Sequence, residues 1–162
     1  MPGSKTTKGP QTTSAKGGRK LSNFLCFAIY SANLAFGRAY KPLLDKLGLT
    51  YTQYVTLVAL SEEDGQTVSM LGEKLFLESN TLTPILKKLE ADGYLQRRRD
   101  PADERQVRLT LTPAGQALVD ADPGAALTDA IGLGDDFATV QQSVAKLRDN
   151  LLDATQPGSR KE

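Results

Sequence analysis

Residues 67–115 read TVSMLGEKLFLESNTLTPILKKLEADGYLQRRRDPADERQVRLTLTPAG, and a change of period inside this stretch decides the fold. Thr67 is a cap for a short helix, on which Val68, Leu71, Leu75 and Phe76 repeat at helical spacing. Ser79 begins a second helix that carries Leu82, Ile85, Leu86 and Leu89 on one side and stops at Gly93. Pro84 removes one backbone donor, so the start of this helix is predicted to be irregular or to lie a little later. Beyond Gly93 the period drops to two. Val107, Leu109 and Leu111 alternate with Arg108 and Thr110, as in a half-buried strand, and Tyr94 and Leu95 lead into its partner. Between them Asp100-Pro101-Ala102-Asp103 fits a type I turn, which makes a β-hairpin with a charged tip. Thr112-Pro113 then opens a helix. Two short helices and a hairpin make a winged helix-turn-helix, so the fold expected is mainly α with a small β-hairpin wing.

Upstream, apolar residues from Leu21 to Leu47 predict a helix, which Pro42 should kink or restart and Gly48 should stop. Thr50 and Gln53 fit a capping box for a helix running to about Leu60, and Asp64-Gly65 signals a turn. Downstream, residues 121–134 are rich in Gly, Ala and Asp and their structure is left open. Phe137, Val140, Val144, Leu147 and Leu151 then form a seam suited to packing lengthwise on another helix. The expected organisation is one domain over 19–155, with a DNA-binding winged helix at 50–111 between dimerisation helices at 19–48 and 112–155. Residues 1–18 and 156–162 are expected to be disordered tails, the first mildly basic.

Composition narrows the chemistry. The chain has 162 residues, a net charge of +1, one cysteine and no histidine. That length suits one domain with appendages, and so small a net charge gives no global pull toward nucleic acid. A single cysteine forbids an intramolecular disulfide and suits a reducing, cytoplasmic setting. Lack of histidine removes His-based catalysis and most metal sites, so neither a metal nor a cofactor is expected, nor an enzyme. No apolar run reaches the roughly 18 residues needed to span a bilayer, and the N-terminus lacks a signal-peptide pattern.

The residue types on the helix-hairpin unit suit double-stranded DNA. Ser79, Asn80, Thr81 and Thr83 are short hydrogen-bonding side chains at the start of the second helix, fitted to base edges and phosphates. Lys87 and Lys88 follow as phosphate partners, and Arg97, Arg98, Arg99, Arg105 and Arg108 flank the hairpin. Acidic residues Glu90, Asp92, Asp100, Asp103 and Glu104 keep the local excess small, as an ordinary solvated hairpin would. Element order and charge placement agree on DNA binding.

Cys26 is the remaining candidate for chemistry. Only a thiolate attacks a peroxide, and an ordinary thiol has a pKa near 8.5. Starting the helix at Leu21 puts Cys26 beyond the first turn, where the helix dipole has faded. Tyrosine hydroxyls can instead donate hydrogen bonds to sulfur. Tyr30, four residues on, shares the Cys26 face; Tyr40, fourteen on, points the same way but lies about 21 Å along the axis. A pocket of one thiol and both phenols therefore needs a second copy packed in the opposite sense. The other reading is a small buried hydrophobe, which most free cysteines are. The residues alone leave both open.

Residues 21–118, with the stretches LCFAIY, YKPLLDKLGLTYTQY and LGEKLFLESNTLTPILKKLEADGYLQRRRDPADERQVRLTLTPAG, resemble the MarR family, and within it the OhrR-type organic-hydroperoxide sensors. The wing motif Asp103-Glu104-Arg105 and the preceding helix carry the family resemblance; Cys26, Tyr30 and Tyr40 carry that to the branch. The resemblance implies a homodimeric repressor on a palindromic operator, with Asp103 pairing Arg105 and Arg105 entering the minor groove. It also implies that an organic hydroperoxide oxidises Cys26, whose thiolate is held by Tyr30 and Tyr40 across the dimer. Because no second cysteine is present, a small thiol would form the mixed disulfide. The alternative is a MarR-type repressor relieved by a non-covalent phenolic ligand, with Cys26 structural.

Overall fold

The computed structural model describes residues 20–155, so the tails expected at 1–18 and 156–162 lie outside the described residues. The chain divides at Phe36/Gly37 into two compact units. In the first, Leu21–Asn23 form a 3-10 turn, and α1 (Leu25–Leu44) starts later than its apolar pattern suggests. Phe24 is the reason. Its backbone is extended, and its carbonyl receives the first helical bonds, from the amides of Phe27 and Ala28 at 3.1 Å each. Leu21, Phe24, Leu25, Tyr30, Leu34 and Phe36 are all exposed.

In the second unit Pro42 is carried inside α1, neither kinking off a new helix nor stopping this one at once. It sits two residues before the helix ends and removes the bond that an amide there would give to the Arg38 carbonyl. A 3-10 turn (Asp45–Leu47) and left-handed Gly48 follow. The predicted capping box opens α2 (Tyr51–Ser61): Thr50 Oγ1 accepts from the Gln53 amide at 3.3 Å, and Gln53 Oε1 accepts from the Thr50 amide at 2.8 Å. A two-residue strand β1 (Gln66–Thr67) was too short to show in the periodicity. Thr67 also caps α3 (Val68–Leu75), accepting from the Met70 amide at 3.2 Å, and Phe76 lies beyond the helix with φ +56°.

The second helix of the pair, α4, runs Ser79–Ala91 with Pro84 inside it. Its start is neither shifted nor irregular: Thr81 and Leu82 amides both bond to Glu78 O at 3.0 Å, and Thr83 Oγ1 donates to Ser79 O at 2.7 Å. Gly93, with φ +81°, ends it, as the Tyr94 amide bonds back to Leu89 O at 3.0 Å. β2 (Leu95–Arg99) and β3 (Val107–Leu111) form the hairpin, and the antiparallel sheet has order β1-β3-β2. Its tip differs from the predicted type I turn. The hydrogen-bonded turn lies three residues further on, with the Gln106 amide on Asp103 O at 2.9 Å, while Asp100 Oδ1 accepts from the Ala102 amide at 2.9 Å. An aspartate that binds its own loop in this way competes with the backbone turn.

Thr112 caps α5 (Pro113–Asp120). The stretch left open contains a 3-10 turn (Ala125–Leu127), the four-residue α6 (Thr128–Ile131) and a second 3-10 turn (Gly134–Asp136). The last helix, α7 (Phe137–Thr155), buries none of its residues, and Phe137, Val140, Val144 and Leu151 of its apolar seam are exposed. The core is leucine: Leu57, Leu71, Leu82, Leu86, Leu89, Leu95 and Leu109 are fully buried, at roughly 1.5–3 kcal/mol each. They bind α2, α3, α4 and the hairpin into one body, which fixes the hairpin beside α4.

Candidate functional site

The helix-hairpin unit presents the predicted polar side chains. Ser79, Asn80 and Thr81 are exposed on the first turn of α4, Thr83 is half-buried beside them, and Lys87 and Lys88 are exposed further along. Ion pairs then sort the cations. Lys88 Nζ lies 2.6 Å from Asp92 Oδ1. Arg97 is held by Glu90 through three bonds: the guanidinium at 2.6 and 2.7 Å, and the backbone amide at 3.2 Å. Arg108 joins Asp100 at 2.8 Å and donates to Gly65 O at 3.0 Å. Among the described residues, Lys87, Arg98, Arg99 and Arg105 enter no ion pair.

The wing differs from what the resemblance implied. Asp103 Oδ1 accepts from the Arg105 backbone amide at 3.1 Å and Oδ2 from Gln106 Nε2 at 3.2 Å, so Asp103 shapes the tip and does not pair with the Arg105 guanidinium. Glu90 and Asp100 are the residues that sequence reasoning missed as partners. Hydrogen bonding from Arg97 holds the Glu90 carboxyl below its ordinary range. The Ala102 amide, followed by Arg108, does the same for Asp100. Opposite charges on either side of the Gly93 turn were the available signal for Glu90 and Arg97.

Cys26 and Tyr30 belong to the first unit and Tyr40 to the second. Cys26 is exposed and is the second residue of α1, with Tyr30 exposed four residues on and Phe27 half-buried, its ring 6.3 Å from that of Tyr30. Cys26 therefore stands in the first turn of its helix, not beyond it, and the expectation of a faded dipole is corrected. At that position backbone amides lack helical acceptors and the dipole favours negative charge. Exposure also removes the reading of Cys26 as a buried hydrophobe within this chain.

Tyr40 belongs to an aromatic cluster with Tyr51 and Tyr54, whose ring centres lie 4.9 and 6.0 Å away. The Tyr54 hydroxyl donates to Asp122 Oδ1 across a long 3.5 Å. Burial first, then Tyr51 and Asp122, push the Tyr40 phenol above its ordinary value. Tyr54 is raised by burial and then by Asp122. Both phenols consequently keep their protons at neutral pH and remain donors. No metal-holding cluster of acidic and cysteine residues exists among the described residues, and no described helix is long and apolar enough to cross a membrane.

A family model for the transcriptional regulators SarA/Rot matches residues 38–121. The organic hydroperoxide resistance transcriptional regulator of Bacillus subtilis (strain 168) is 40% identical over 135 residues, which cover 82% of this chain and 92% of that protein. The chain belongs to the MarR family, in its OhrR-type branch. It is a winged-helix transcriptional regulator. A second relative, the regulator TtmR of Methylorubrum extorquens (strain PA1), is 53% identical over 100 residues, 62% of this OhrR-type chain but only 51% of TtmR. Solved structures of AbfR, a protein of Staphylococcus epidermidis, share the fold. Reduced AbfR bound to DNA superposes with a TM-score of 0.71 and 36% identity, over 82% of this chain and 94% of that one. Overoxidized AbfR bound to DNA gives 0.67 and 38%, over 81% and 94%.

Proposed function

We propose that this OhrR-type regulator is a homodimeric repressor that grips a two-fold operator while Cys26 is reduced, and releases it once Cys26 carries a small-thiol adduct. The observation that carries this is the placement of the lone thiol, exposed on the first turn of α1. The exposed apolar residues of α1 (Leu25, Leu34, Phe36) and of α7 (Phe137, Val140, Val144, Leu151) supply faces for a second copy. In that pair Tyr30 and Tyr40 of one protomer donate hydrogen bonds to the Cys26 thiolate of its partner. The thiolate attacks one oxygen of an organic hydroperoxide; the O–O bond breaks, a sulfenic acid forms, and the alkoxide leaves and is protonated to an alcohol. A small thiol then condenses with the sulfenic acid, releasing water and leaving a mixed disulfide. AbfR in its overoxidized form is itself bound to DNA, which supports assigning release to the bulky adduct and not to added oxygen.

On DNA, α4 enters the major groove with Ser79, Asn80, Thr81 and Thr83 at base edges and phosphates, and Lys87 and Lys88 on the backbone. Arg105, at the exposed wing tip, enters the minor groove, while Glu90 and Arg97 fix the angle between wing and α4. Arg105→Gln should therefore weaken binding and reduce the slope of log affinity against log salt by about one. Arg97→Gln should weaken binding with the slope unchanged. Equal slope changes in both variants would show that Arg97 contacts phosphate instead.

One feature favours the non-covalent alternative: an open apolar groove of about 410 Å³ lined by Leu43, Lys46, Leu47, Tyr94, Leu118, Ala121 and Pro123, wide enough for a phenolic ligand. Reversal of release separates the two readings. After treatment with cumene hydroperoxide and a small thiol, operator binding should return with dithiothreitol and not with dialysis. Recovery on dialysis alone would establish a non-covalent ligand.

A further inference from the structure

The loop after α5, which the sequence left unread, closes on Tyr40. A Cβ built at Gly124 would overlap the Tyr40 hydroxyl and lie 3.0 and 3.1 Å from ring atoms Cε1 and Cζ. Tyr51 and Tyr54 on α2 border the same ring, so the phenol is set between α2 and the backbone of Gly124. The loop has its own framework. Asp122 takes φ +38°, a left-handed conformation that costs a non-glycine residue energy. It is kept there by its amide on Val119 O at 3.0 Å and its carbonyl on the Ala125 amide at 3.0 Å, and the Leu127 amide bonds to Gly124 O at 2.9 Å. The Asp122 carboxylate in turn receives the Tyr54 hydroxyl.

We infer that Gly124 and Asp122 are positioning residues for Tyr40, so that the 121–127 loop sets how fast Cys26 responds to peroxide. This rests on the reading of Tyr40 as a donor to the partner's thiolate. Gly124 supplies the gap that fixes where the hydroxyl stands. Asp122, a negative charge facing the Tyr40–Tyr51–Tyr54 cluster, disfavours phenolate and so keeps the donor protonated. A hydrogen bond weakens steeply as its angle closes, and a misplacement of about 1 Å can cost a reaction on the order of a hundredfold.

The test uses the full-length protein as wild type, Tyr40→Phe, Gly124→Ala, the double variant, and Asp122→Asn. The rate of Cys26 thiol loss with cumene hydroperoxide is followed by quenched mass spectrometry, and operator affinity of the reduced protein by fluorescence anisotropy. Tyr40→Phe should be slower by roughly 10–150-fold, the usual worth of a hydrogen bond to a charged group. Gly124→Ala should fall to a similar rate with unchanged operator affinity, and the double variant should be no slower than Tyr40→Phe alone. In Asp122→Asn the alkaline decline in rate, where phenols of the Tyr40, Tyr51 and Tyr54 cluster ionise, should begin at lower pH. Gly124→Ala at the wild-type rate, or additive with Tyr40→Phe, together with an unmoved alkaline limb, would overturn the inference while leaving Tyr40 in place. A wild-type rate in Tyr40→Phe would instead remove the underlying role of Tyr40.

Discussion

Cys26→Ser protein should stay on its operator at cumene hydroperoxide concentrations that empty the wild-type site. The serine hydroxyl nearly matches the thiol in size but yields no anion at neutral pH and is not oxidised by peroxide. Because Cys26 lies outside the core of its own protomer, the serine variant should fold as wild type does, and its hydroxyl can still accept from the partner's phenols, so reduced-state DNA affinity should match wild type. Wild-type protein, treated with peroxide and a small thiol, should lose operator affinity by roughly 5–150-fold, the usual range for coupled sites. The serine variant should lose none. Anisotropy titrations with labelled operator check both numbers, and peroxide-driven release from Cys26→Ser would move the sensing chemistry elsewhere.

Gly115→Ala should be among the most damaging single-methyl additions in the chain. The first turn of α5 presses its Gly115 backbone onto the Tyr94 carbonyl: a Cβ there would overlap Tyr94 O and lie 3.0 Å from Tyr94 C and 3.2 Å from a Leu111 methyl. That carbonyl already accepts the Thr112 amide at 3.0 Å, and the Thr112 hydroxyl donates to Gly93 O at 2.7 Å. The junction of α4, hairpin and α5 is therefore backbone on backbone and cannot yield by rotating a side chain. A cost near 3 kcal/mol is expected, corresponding to about 10 °C in Tm for a chain of this size. Hairpin and α4 share this junction, so operator affinity should fall as well. Differential scanning calorimetry measures the shift; an unchanged Tm would mean that the junction is looser than its distances indicate.

What could be read in the sequence was whatever local chemistry states outright. Thr50 with Gln53, and Thr67 and Thr112 at helix starts, announce themselves because a capping hydroxyl serves amides within three residues. The alternation at Val107–Leu111 marks the hairpin because one sheet face is buried. Phe24 hid the true start of α1. It cannot cap, and the apolar pattern runs through it, yet its extended backbone separates the 3-10 turn from the helix and brings Cys26 into the first turn. Partnerships were also hidden. Nothing in the spacing states that Arg97 turns to Glu90, or that Asp103 serves the Arg105 backbone amide and the Gln106 side chain in place of the Arg105 guanidinium. The 121–134 stretch was unreadable because Gly, Ala and Asp allow many conformations, and Asp122 adopts one that its side chain opposes. The phenol cluster is tertiary, joining Tyr40 to residues eleven and fourteen positions away.

One titration follows sulfur and operator together. Reduced dimer on labelled operator is treated with graded cumene hydroperoxide in the presence of a small thiol, and each sample is split between anisotropy and intact mass. The fraction of DNA released should track the fraction of Cys26 carrying the thiol adduct, point by point. Full adduct with the operator still bound, or release with Cys26 unmodified, would contradict the coupling of this thiol to DNA.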